Sequence, residues 1–88
     1  MKRDVVLMGP KFNYFALMTW LKFPMIVIFM DPIDYPGKFA ARVFNLNKPT
    51  PYCAIRNSYK ELIGTIPDGM IRIPRDPHDD PKIIETWV

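Results

Sequence analysis

Residues 12–30, FNYFALMTWLKFPMIVIFM, form the most apolar run in the chain, and two positions inside it decide what it can become. A membrane helix wants about 20 apolar residues in succession. Lys22 stands near the middle, where lipid burial costs roughly 2.5–3.5 kcal/mol on the insertion scale. Pro24 costs roughly 3 kcal/mol inside a helix. A secretory signal fits no better, because Asp4 offsets the cationic Met1-Lys2-Arg3 and Asp31-Pro32-Ile33 stands where small residues belong. The run is therefore expected to split into a short helix over 11–22, opened by Pro10 and ended by Pro24, and a strand from Met25. Membrane association through residues 12–30 stays as an alternative, since snorkelling of Lys22 softens the first penalty.

Within the expected helix, Phe12, Phe15, Ala16, Trp20 and Phe23 recur at helical spacing, and Tyr14, Leu17, Met18 and Leu21 make it apolar nearly all round. Such a helix demands cover on more than one face. A chain of 88 residues buries only about 60% of its unfolded surface, so the cover points to a partner chain, most simply a second copy. A strand over Tyr14–Leu21 competes with the helix, because periodicity does not separate the two for so apolar a run.

From Met25 the pattern reads as sheet. Met25–Met30 is continuously apolar, as in a central strand buried on both faces, and Val5–Met8 reads as a short strand of its own. The segment Asp34-Tyr35-Pro36-Gly37 marks a turn with proline pre-setting φ and glycine accepting a positive φ. Lys38–Asn45 alternates, with Phe39, Ala41 and Val43 opposed to Ala40, Arg42 and Phe44. Tyr52–Arg56 alternates again, with Cys53 and Ile55 expected inward and Tyr52, Ala54 and Arg56 outward. Ser58-Tyr59-Lys60-Glu61 is a capping box that opens a short helix, with Gly64 as its stop. Met70–Ile73 and Ile83–Val88 are expected as two further strands, though Asp80-Pro81 also suits a helix start. The fold class is α+β: a small antiparallel sheet, a meander plus two short strands, with one or two short helices. Residues 1–88 form one domain, of which 1–24 differ in texture and read as an accessory extension to a 25–88 core.

Composition narrows the chemistry. Ten prolines against four glycines favour short elements joined by stiff turns, and a net charge of +3 is too mild to identify an anionic partner. The single cysteine, Cys53, removes disulfide frameworks and multi-cysteine metal sites, fits a reducing, cytoplasmic setting, and reads as a buried apolar residue. Asp76, His78, Asp79 and Asp80 crowd one loop, but their spacing matches no compact metal motif and reads as a solvated turn. Adjacent aspartates point apart, no glycine-rich phosphate loop exists, and the lone serine, Ser58, is assigned to capping. No enzyme, cofactor or metal is expected. The leading expectation is a self-associating protein-interaction module using Phe12, Phe15, Trp20 and Phe23. The alternative is a single-stranded nucleic-acid surface, in which Arg42, Arg56 and Arg72 share one sheet face with Phe44, Tyr52 and Trp87.

Overall fold

A computed structural model of the chain describes residues 3–88; Met1 and Lys2, part of the cationic start weighed above, lie outside the described residues. The chain order is β1 (Val5–Val6), α1 (Tyr14–Trp20), β2 (Pro24–Met30), β3 (Phe39–Asn45), β4 (Lys48–Arg56), α2 (Tyr59–Ile63), β5 (Arg72–Pro74) and β6 (Ile83–Trp87). The six strands make one sheet in the order β1-β4-β3-β2-β6-β5. Every pairing is antiparallel except that of β1 with β4. The α+β class and the β2-β3-β4 meander are as the sequence predicts.

The apolar run does break near its lysine. Asn13 caps α1 by accepting the Ala16 amide at 3.0 Å, and Leu21 is already extended, so the helix is only seven residues long. Among the described residues no helix is long and apolar enough to cross a membrane. Continuous apolarity in β2 has the expected consequence: β2 lies between β3 and β6, and Ile26, Val27 and Ile28 are buried on alternate faces. The turn into β3 closes by the Lys38 amide bonding the Tyr35 carbonyl, with Pro36 second and Gly37 third at φ +76°. Proline second and glycine third are as the sequence predicts, in a tight turn that runs Tyr35–Lys38.

The core lies on one side of the sheet. Ile26, Ile28, Ala41, Val43 and Ala54 meet Phe12, Leu17, Leu62, Ile66 and Met70 from the helices and loops. The first 24 residues contribute the edge strand β1 and two of those core side chains. Half of the capping box forms as expected, the Glu61 amide bonding Ser58 Oγ at 3.1 Å; the Glu61 carboxylate, expected on the Ser58 amide, instead accepts from the Ser58 hydroxyl at 3.0 Å. Gly64 ends α2 in a right-handed conformation, φ −60°, so it is not the left-handed stop the sequence favours.

A second, smaller buried region lies on the other side of the sheet, where the 31–38 loop folds back. Pro32 is buried there, and Asp34 and Tyr35 reach Asp4, Arg42 and Cys53. This cover explains why both Cys53 and Ala54, on opposite faces of β4, are fully buried.

Candidate functional site

The β-ladders settle where the arginines point. Arg42 pairs with Cys53, whereas Arg56 pairs with Phe39 and Arg72 with Trp87. Directly opposed residues share a face. Val27 opposes Arg42 while Ile26 opposes Trp87, so Arg42 lies on the loop-covered side and Arg56 and Arg72 on the core side. The single cationic face expected from the sequence is therefore corrected. The inversion comes from β4, where Ala54 faces the main core and Cys53 faces the loop, the reverse of the expected parity.

None of the three guanidinium groups stands idle. Arg42 Nη1 donates to Asp4 Oδ1 at 3.0 Å and to the Thr50 carbonyl at 2.9 Å. Its Nη2 donates to Asp4 Oδ2 at 2.9 Å and Asp34 Oδ2 at 3.3 Å. Bonding to Asp4 holds the Arg42 pKa above its ordinary value, and the hydrogen bond that the Tyr35 hydroxyl donates to Asp4 pushes that phenol up to about 12. Arg56 bonds the Ile55 carbonyl at 2.8 Å and the Gly9 carbonyl at 3.1 Å. Arg72 Nε donates to Glu85 Oε1 at 2.7 Å. Phe44 is half-buried on the Arg42 side.

Glu85 organises the opposite end of the sheet. Its side chain is wholly buried, yet it accepts from the Tyr59 hydroxyl at 2.7 and 2.9 Å, Arg72 Nε at 2.7 Å and Trp87 Nε1 at 2.8 Å. Trp87, expected as an exposed stacking ring, is instead half-buried with its indole N–H committed. Burial, then Glu85, raises the Tyr59 pKa, and Glu85 raises that of Arg72. Among the described residues, no buried side-chain nitrogen or oxygen lacks a hydrogen-bond partner. Both polar clusters therefore read as internal ties between elements. Sequence reasoning misses them because Asp4–Arg42 and Tyr59–Glu85 span 38 and 26 positions.

The acidic loop is likewise explained locally. Asp76 accepts from the His78 amide at 2.8 Å, which lowers its pKa, and sits 3.1 Å from His78 Nδ1. Among the described residues no three His, Cys, Asp or Glu side chains cluster as a metal site would require. Cys53 is fully buried, and that burial pushes its thiol pKa up, away from the thiolate a nucleophile needs.

What remains open is a groove of about 580 Å³ between α1 and the β1–β4 edge. Its floor and walls are Val5, Leu7, Ala16, Leu17, Trp20 and Tyr52. The groove exists because Leu17 is the only buried residue of α1. Phe12, expected at an exposed contact surface, is instead a core residue, because the Phe12 amide bonds the Thr65 carbonyl and draws the chain inward. The other three residues of that expectation remain outside: Phe15 is 79% exposed, Trp20 73% and Phe23 58%.

Charge is distributed unevenly about this groove. No Asp or Glu occurs between Val5 and Met30 or between Tyr35 and Lys60. Val5 pairs with Tyr52, Pro24 with Asn45 and Asn45 with Lys48, so the register brings Arg3, Lys22 and Lys48 to one end of the sheet. All three are exposed, and among the described residues none makes an ion pair. At the other end of α1, Lys11 reaches Asp68 at 3.8 Å. Compared with known family models, curated proteins and solved structures, the chain matches none.

Proposed function

We propose that the chain is a non-enzymatic protein-interaction module whose contact surface is the α1–β1 groove with the aromatic face beside it. The observation that carries this reading is an open apolar groove walled by the exposed Trp20, with Phe15 and Phe23 of the same segment also exposed. Each large apolar side chain taken from water contributes about 1.5–3 kcal/mol, so these three rings are a strong incentive to bind. Contiguous apolar surface of this kind marks contact sites in small domains. The two buried polar clusters are committed to holding elements together, which is why no reaction is assigned to them.

Strand addition at the sheet edges fits less well. Pro49 and Pro51 interrupt the part of β4 that projects past β1, and Pro74 closes the three-residue edge strand β5. Proline lacks the amide a pairing strand requires. Docking onto a side-chain surface is the remaining mode, and a second copy of the chain is one occupant it admits.

Site-specific photo-crosslinking tests the reading. A benzophenone side chain at position 20 should give discrete protein adducts in cells, including any with a second copy. The same group at the exposed apolar position 71, remote from the groove, should give none of them. Identical adducts from both positions would remove the case for this surface.

A further inference from the structure

We infer that the occupant of the α1 groove is an acidic segment of a different protein. An apolar side chain of that segment sits between Trp20 and Tyr52, and its carboxylates lie over the end of the sheet that carries Arg3, Lys22 and Lys48. The inference rests on the groove being the contact surface and adds the chemistry of what fills it.

Charge complementarity carries it. The groove itself is lined mostly by aliphatic and aromatic carbon; its polar atoms come from Asn13, whose Oδ1 is already occupied by the Ala16 amide, and from Trp20 and Tyr52. Specificity must then come from beyond the groove, and the end of the sheet next to it, by register, is cationic. Asp4, the one acid near β1 in sequence, is held by Arg42 and Tyr35 on the other face of the sheet and so does not neutralise it. A second copy is disfavoured by the same charges. A two-fold contact through this patch sets each copy's Arg3, Lys22 and Lys48 against the other's, and like charges facing across an interface oppose association. Single-stranded nucleic acid is disfavoured by the lining: apart from Trp20 and Tyr52, its aliphatic members Val5, Leu7, Ala16 and Leu17 offer no flat platform for successive bases. A membrane surface is disfavoured because the apolar site is a concavity, which a flat lipid surface does not fill. An amphipathic anchor with acidic flanks satisfies both features.

Selection from a random peptide display library against the folded full chain tests the inference directly. The expected result is enrichment of peptides with one or two large apolar residues flanked by Asp or Glu. A synthetic peptide from that pool should bind less tightly as salt is raised. It should lose about tenfold in affinity against the exposed-site double variant Lys22→Glu/Lys48→Glu, and Ala16→Glu should abolish it. Enrichment without acidic residues overturns the inference. So does binding of a dT20 oligonucleotide or of phosphatidylserine vesicles that competes with the peptide at the groove. A concentration-dependent dimer abolished by Ala16→Glu, with no acidic peptide selected, also overturns it but leaves the groove as a contact surface. No enrichment together with a strict monomer removes both readings.

Discussion

The Arg42 guanidinium grips both carboxylate oxygens of Asp4, at 3.0 and 2.9 Å, across 38 positions of sequence. The side chains are only 11% and 12% exposed, so the pair is held largely out of water. It fastens the residue just before β1 to the third strand of the sheet. Removing one partner from such a pair strands the other charge, at a cost of about 3–5 kcal/mol. Arg42→Ala is therefore expected to lower unfolding stability by about that amount, with an unchanged urea m-value. A loss below about 1 kcal/mol in urea melts would show that the pair is not a structural tie.

Glu85 predicts a second dependence. Glu85→Ala leaves the Tyr59 hydroxyl, Arg72 Nε and Trp87 Nε1 without their shared acceptor, an expected loss of about 1–3 kcal/mol for each neutral donor left buried and unpaired. Tyr59→Phe alone is expected to cost about 1–3 kcal/mol. Because the groups share one carboxylate, a double-mutant cycle between them should show coupling of about 0.5–3 kcal/mol. Strictly additive losses would contradict a single network.

Tyr35 gives a pH test whose direction is set by its raised pKa. Its phenol moves from an ordinary 10.0 to about 12 in the folded protein. Below pH 10 the proton is bound in both states and the stabilisation from the Asp4 contact is complete. As pH rises from 10 towards 12 the unfolded chain releases its proton first, so stability falls, and the loss is complete above the folded value. The thermal midpoint should therefore drop across this window, and Tyr35→Phe should flatten part of the drop. Tyr59, also raised, retains its share. A variant with the same slope as the parent would show that Tyr35 titrates normally.

The amino-terminal segment supplies a fourth expectation. A chain beginning at Met25 loses β1, Phe12 and Leu17, exposing one edge of β4 and opening the core. Deleting one large core side chain costs about 2–5 kcal/mol, and a small domain has little more than that in total. The shortened chain should lack dispersed amide resonances in a proton–nitrogen correlation spectrum. A well-dispersed spectrum would make residues 1–24 an accessory extension after all.

Which parts of this structure are legible in the sequence follows from the range of the forces involved. Lys22 and Pro24 act on their immediate neighbours, and the run splits close to them. Ser58 and Glu61 are three residues apart, and half of their box forms. The alternation in Lys38–Asn45 correctly sets Phe39, Ala41 and Val43 against Arg42. Cys53 reads as buried, which it is, but it is buried beneath the 31–38 loop and not in the main core. That inversion moves Arg56 to the core side, and the pairing of Arg72 with Trp87 places Arg72 there too, so the expected face of three arginines does not form. Phe12 and Phe15 look alike in sequence; the hydrogen bond that the Phe12 amide donates to the carbonyl of Thr65, far along the chain, is what separates core from surface. The groove depends on Leu17 being the only buried residue of α1, and no local pattern announces that.

Ala16 provides the most direct check on the whole account. It is half-buried on the groove wall of α1, a position where glutamate suits the helix but not an apolar or acidic occupant. Thermal unfolding and photo-crosslinking from position 20 should be measured together on Ala16→Glu. The expected result is a midpoint within about 4 °C of the parent, equivalent to less than about 1 kcal/mol, with the adducts gone. Adducts that persist undiminished on a folded Ala16→Glu protein would contradict the groove as the binding surface.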